Sequence, residues 1–418
     1  MAREIHAFSL SNRLMAVDGT ANIEAVVAGL DHKDGNGILW QHPNLRLLKE
    51  FSLHGLLYGL VENPEYLLPY AAPIAVPTAL RTLNYSGVDA FGECIYSVKG
   101  VCSPPNEFTG VDVRENRRHV LGVRFGPDEA AKYKIEGASA DLGGFIEIAK
   151  YTPELLVDFN GPIWQPLIVL DTKNPLVVPN RENAAKLDVE VRVCNLRRMP
   201  YTAWRIEDVL SDSTVEEGRA EINRLRRVWG SDVSSHVYLR AIERWSKGQN
   251  MLLKAGVRHV QVFDTYMHSP TKRQEFVWMN PHNIGLDGST GDLANSRKYV
   301  DSWHDYNRGR REAVGGFLMY LMGVNKLSPK LLAHDNSFLG KSLEVFLGTL
   351  SPHVKREILI QKDFEYIANA ARETITLCEA KVPLDLFLPG RSPVDMHLTE
   401  KEWMPFIVNI GQRIHESL

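Results

Sequence analysis

Hydrophobic positions change their spacing twice along this chain, and the changes divide it into three regions. Near the start, a strand is expected over residues 4–10 and a short helix over 22–30. Between 44 and 68, Leu45, Leu48, Phe51, Leu56, Leu57 and Leu60 recur mostly every three or four residues, which predicts a helix with one broad buried face. Pro69, Pro73 and Pro77 then remove amide donors from residues 68–77, so this stretch predicts an extended apolar connector rather than a central strand.

From residue 91 the period falls to two. Segments 91–98, 118–125, 132–137, 144–150, 154–159, 165–171 and 187–194 are short, mostly rich in β-branched or aromatic residues, and bounded by Gly, Pro, Asn or Asp. In the last of them Leu187, Val189, Val191 and Val193 alternate with charged residues, the pattern of a strand with one wet face.

Beyond residue 202 helical spacing returns. Thr214 and Glu217 fit a capping box opening a helix to about 229, and Ser231 or Asp232 would cap the next, to 254. A strand is expected at 257–264 and a helix at 295–325. Ser328-Pro329 and Ser351-Pro352 place a capping hydroxyl before a proline, predicting helices to about 349 and 380. Thr399 and Glu402 suggest a last capping box. The fold class is therefore α+β: a central, mainly antiparallel β-sheet with an N-terminal helical segment and a C-terminal helical half. The expected boundaries are 1–86, 87–200 and 201–418.

With 418 residues, 44% of them hydrophobic, the chain can bury a large core. The start lacks an apolar leader, and no run of about 18 apolar residues occurs. No membrane partner is expected. Cys94, Cys102, Cys194 and Cys378 form neither a metal knuckle nor a dense disulfide framework, which points to a reducing, cytoplasmic compartment. The net charge of -3 argues against a histone-like coat. Arginines nevertheless gather in close sets: 114, 117 and 118; 197 and 198; 224, 226 and 227; 308, 310 and 311.

Candidate chemistry concentrates in residues 257–312, where His, Asp, Trp and Arg are interleaved. His304, His268, Asp264 and Asp305 are the candidate catalytic groups, as acid/base residues or as ligands of a metal whose identity the spacing leaves open. Arg308, Arg311, His282 and Trp303 are the candidate substrate contacts, because guanidinium suits phosphate and carboxylate and an indole suits a planar ring. On a helix, Asp301, His304, Asp305 and Arg308 would share one face, with His304 turned toward a pocket near His268 or Asp264. Arg308 and Arg311 would share an acidic partner, with Arg310 pointing elsewhere and mattering less. The glycine-rich run 283–292 lacks the lysine of a phosphate loop and predicts a flexible lid or series of turns.

Two readings follow. One is a soluble intracellular enzyme acting on an anionic, phosphate- or carboxylate-bearing substrate such as a nucleotide. The other is a nucleic-acid-binding or assembly subunit using arginine sets with Trp204, Trp229, Trp278, Trp303 and Tyr306. Expected partners are an anionic small molecule or nucleic acid, and a homo-oligomer is compatible with both. The sequence leaves the cofactor, if there is one, unknown. The same polar residues also fit ordinary salt bridges and solvated helix faces.

Overall fold

The computed structural model describes residues 72–73, 82–89, 92–99, 167–171, 191–199, 201–259, 262–267, 275–291, 297–299, 302–333, 336–380 and 393–418. The helices expected at 22–30 and 44–68 lie outside these residues, as do the strands expected at 4–10 and between 118 and 159. The chain divides into two compact units.

The described strands of the first unit are β1 (Ala72–Pro73), β2 (Thr82–Asp89), β3 (Gly92–Lys99), β4 (Leu167–Asp171) and β5 (Val191–Met199), all paired antiparallel in the order β1-β2-β3-β5-β4. The proline-bearing β1 is an edge strand, where a missing donor costs least. β3 and β4 match expected segments. β2 does not: Asn84 and Gly87 weaken its pattern, and pairing along its whole length with β3 decides its conformation. β5 runs past the expected end at 194, because residues 195–199 find ladder partners on β3.

The second unit is mainly helical. Its helices are α1 (Val215–Val228), α2 (Ser234–Ala255), α3 (Trp303–Leu327), α4 (Pro329–Ala333), α5 (Asn336–Thr349), α6 (Pro352–Ile360), α7 (Asp363–Glu379) and α8 (Pro393–Ser417). Two short antiparallel pairs sit among them, β6 (Val257–Arg258) with β9 (Arg297–Lys298), and β7 (Phe263–Met267) with β8 (Glu275–Met279). α8 begins before the expected capping box at Thr399 and carries Pro405 within it. No helix among the described residues is long and apolar enough to cross a membrane.

The core is organised around α3. Its second half, from Ala313 to Val324, is buried throughout. Small residues there admit large ones from neighbouring elements: a Cβ on Gly316 would lie 2.0 Å from the Trp245 ring, and one on Gly315 would lie 2.4 Å from Phe263. Trp245 donates to the Ala313 carbonyl at 3.0 Å, and Phe317 stacks on Phe346 with ring centroids 4.4 Å apart. These contacts offset the low helix propensity of glycine by the apolar area they bury.

Several helix starts follow from local chemistry. Ser351 accepts from the Val354 amide, as a serine before proline should. Thr214 caps α1 in position, but its hydroxyl donates to the Asp208 and Ser211 carbonyls, so the expected reciprocal box is absent. The helix expected at 295 begins at Trp303, where Ser302 accepts from the Asp305 amide. The single helix expected from 352 to about 380 is two, broken at Lys362, which has φ 50°.

Of the two expectations for the run 283–290, the series of turns holds, with the Gly288 amide donating to the Gly285 carbonyl at 2.9 Å, and the lid does not, because all of its residues are buried. Arg244 donates to the Asp287 carbonyl at 2.9 Å, Tyr320 donates to that of Leu286 at 2.7 Å, and the Leu286 amide donates to the Trp204 carbonyl at 2.9 Å. Gly288 has φ 78° and packs so closely on α2 that a Cβ would lie 2.0 Å from the Ala241 carbonyl oxygen. Glycine is required here for both reasons.

Candidate functional site

The first three turns of α3 carry Asp305, Arg308, Arg310, Arg311 and Glu312, and each meets an opposite charge. Helical spacing sends these side chains in different directions, and three distinct networks result.

In the first, Arg308 grips both oxygens of Asp264 on β7, through Nε at 2.7 Å and through Nη2. Arg258 on β6, fully buried, donates to Asp305 at 2.7 Å and to Asp264 at 3.5 Å. The structure therefore brings together three sequence candidates, Asp264, Asp305 and Arg308, around an arginine not among them. Arg308 retains 18% exposure of its side chain and Asp305 27%, so the network reaches solvent at one edge.

The second network surrounds Asp363, the first residue of α7. Arg310 binds it through Nε and through Nη2, the latter at 3.0 Å, with both side chains 0% exposed. Nη1 of Arg310 donates to Asn307 at 2.6 Å. Arg311 approaches the same carboxylate at 3.6 Å and places its guanidinium carbon over Tyr366, 3.4 Å from the ring centroid. Burial pushes the Asp363 carboxyl up from its ordinary value, against the opposing pull of the two guanidiniums. The expected sharing is thus corrected: Arg310 and Arg311 share a partner, Arg308 takes another, and Arg310 is the most deeply buried of the three. The break at Lys362 places Asp363 at the start of a helix, where a carboxylate is favoured.

The third network is His259 with Glu312, both buried, at 3.6 Å. The Val262 amide also donates to Glu312, at 3.1 Å. Burial pushes the Glu312 carboxyl up, but His259, Arg258 and the Val262 amide together outweigh it and hold the group below its ordinary value. The linkage has a definite sign. The unfolded chain protonates Glu312 before the folded chain does, so this stability is complete above about pH 4.5 and is lost as the pH falls further. Between pH 6 and 3, wild type should lose more unfolding free energy than Glu312→Gln, measured by denaturant titration at each pH. Parallel curves would remove the glutamate from this role.

The remaining candidates do not join these networks. His304 is exposed on the first turn of α3, and its side chain has no hydrogen bond or ion pair among the described residues. It does not form the expected row with Asp305, which turns to Arg258 instead. His268 and Asp301 lie outside the described residues. His282 falls in a short turn, Pro281–Asn283, and its side chain lies outside the described residues. Among the described residues no group of His, Cys, Asp and Glu could hold a metal ion.

One arrangement at the solvent end of α3 is left open. Trp303, 55% exposed, stacks on Tyr306 with centroids 5.4 Å apart and planes 27° apart. Tyr306 stacks in turn on His353, at 5.9 Å and 24°. Positions 303 and 306 are neighbours on one helix face, and the Ser351-Pro352 start of α6 delivers His353. Burial raises the Tyr306 phenol above its ordinary value, with Glu357 and Asp363 adding to the shift and Arg310 opposing it. Lys355 and Arg356 are exposed on α6, and Arg356 follows His353 by three positions, so the two lie on one side of that helix. The sequence signals for this group were Trp303 and Tyr306; His353 carried none.

No family model matches this chain, and comparison with curated proteins and with solved structures gives no match either.

Proposed function

We propose that the protein binds single-stranded nucleic acid at the solvent end of α3, with a base stacked on Trp303 and adjacent phosphates held by Arg356 and Lys355. The half-exposed indole at the open end of the Trp303, Tyr306 and His353 stack carries this reading. A rigid aromatic surface suits any base, since every base has a π-face, and neighbouring cations suit the backbone. Glu357, near Tyr306, limits the positive charge of the patch and favours stacking over charge as its main contribution.

The enzyme reading has less behind it. Its acid/base pairing needs Asp264 or Asp305 free to move a proton, whereas both hold guanidiniums. Arg310 and Arg311 are likewise engaged with Asp363. A cytoplasmic setting and any homo-oligomer belong to the same proposal, the first on the cysteine spacing alone.

Anisotropy titration with a labelled single strand, the same sequence as duplex, and free nucleotides as competitors tests it. The single strand should bind tighter than the duplex, with affinity falling as salt rises. Equal affinity for the duplex, or displacement of the strand by free nucleotide at its own concentration, would overturn the reading.

A further inference from the structure

The corner between α1 and α2 gathers three arginines that meet no carboxylate. Arg219, Arg224, Arg244, Arg258, Arg308, Arg310 and Arg311 each meet a carboxylate. The side chains of Arg226, Arg227 and Arg240 have no ion pair or hydrogen bond among the described residues. Arg227 and Arg240 are exposed and Arg226 is half-buried. The guanidinium of Arg240 lies 4.8 Å from the centroid of the Trp229 ring. Stacking of this kind fixes the plane of a guanidinium while leaving its N–H edge free to donate.

The corner is also rigid. The Trp229 amide donates to the Leu225 carbonyl at 2.9 Å, that of Gly230 to Arg227 at 3.1 Å, and that of Ser231 to Arg226 at 2.9 Å. Gly230, with φ 61°, completes this helix-ending turn. His236 is exposed one turn before Arg240 on the same face of α2. The negative end of α1 accounts for cations at 226 and 227 but not for Arg240, which stands in the second turn of α2.

We infer that Arg226, Arg227 and Arg240, with Arg240 oriented by Trp229, form a second site that binds the phosphodiester backbone of a nucleic acid. As a contact for a strand it rests on the function proposed above. As a phosphate site it stands on these residues alone. Guanidinium edges suit phosphate oxygens in bidentate geometry, and a base-free site away from the Trp303 stack adds affinity without sequence preference. Asp232 and Glu243 are the exposed carboxylates on the adjoining turn and helix, and they set an upper limit on the local potential.

The test pairs two probes, inorganic polyphosphate, which has no base, and a labelled single-stranded oligonucleotide. Arg227→Gln/Arg240→Gln should weaken polyphosphate binding at least tenfold with an unchanged melting temperature. For the oligonucleotide the slope of log affinity against log salt should shrink by about 1.4, for two lost contacts at about 0.7 each. Trp303→Ala should weaken the oligonucleotide and leave polyphosphate alone. Polyphosphate bound equally by wild type and the double variant, or not bound by wild type, overturns the corner. Polyphosphate binding that depends on the corner without any oligonucleotide binding overturns the nucleic-acid reading and leaves the corner as a phosphate site. Displacement of polyphosphate by polyglutamate at equal charge overturns it in favour of an acidic protein partner.

Discussion

Arg310→Ala is expected to lower the unfolding free energy by about 3–5 kcal/mol, the usual cost of removing one partner from a buried ion pair. Asp363, 0% exposed in the wild-type chain, would lose its bidentate partner and keep only Arg311, at 3.6 Å, beside it. Asn307 would lose a hydrogen bond as well. The double change Arg310→Met/Asp363→Leu removes both charges and should cost clearly less than Arg310→Ala alone, because an apolar pair of similar volume is often as stable as a buried salt bridge. Urea unfolding of the two single variants and the double, read as a double-mutant cycle, measures the difference. A loss under about 1 kcal/mol for Arg310→Ala would mean that the pair does not hold α3 to α7.

Trp303→Ala should weaken single-strand binding by about 5- to 150-fold, the equivalent of about 1–3 kcal/mol for one stacked base. Stability should change little, since the side chain is 55% exposed and Ala suits the first turn of a helix. Trp303→Phe keeps a smaller π-face and should fall between the two. The same titration with Arg308→Ala gives a useful contrast: Arg308 is spent on Asp264, so its loss should reduce stability more than affinity. An affinity for Trp303→Ala within twofold of wild type would sink the stacking claim.

What the sequence made legible was largely what local chemistry controls. Ser351-Pro352 marks a helix start because a hydroxyl and a proline satisfy the same end in the same way. The apolar period places α2 to within a few residues, and Thr214 places α1 as closely, although the reciprocal box expected there is absent. Asp264, Asp305 and Arg308 all lie in the polar window 257–312, but the partners expected from its spacing are others: Arg308 shares one with Arg311, and His304 faces His268 or Asp264, whereas Arg308 itself binds Asp264. A list of guanidiniums and carboxylates reads equally as a ligand clamp or as internal pairing, and Arg258, at the start of the same window, and Asp363, from well beyond it, decide for pairing.

Tertiary contacts hid the rest. Nothing in Gln361-Lys362-Asp363 breaks a helix by propensity; the left-handed turn at Lys362 persists while Asp363 is held by two arginines. The glycine-rich run from Asn283 to Thr290 reads as a flexible lid or a series of turns, and its burial becomes visible only where its backbone carbonyls meet Arg244 and Tyr320. β2 carries an Asn and a Gly that argue against a strand until β3 supplies a partner for every residue. His353 lies far from Tyr306 in the sequence and joins its stack only through the fold.

The claim that a base rests on the end of α3 is tested most directly by photo-crosslinking. A single-stranded oligonucleotide carrying 5-iodouracil, which couples to aromatic rings stacked against it, would be irradiated with the protein and the adducts mapped by mass spectrometry. The principal adduct should fall on Trp303 or Tyr306 and disappear in Trp303→Ala. Adducts confined to other peptides, or an unchanged yield in that variant, would contradict the account.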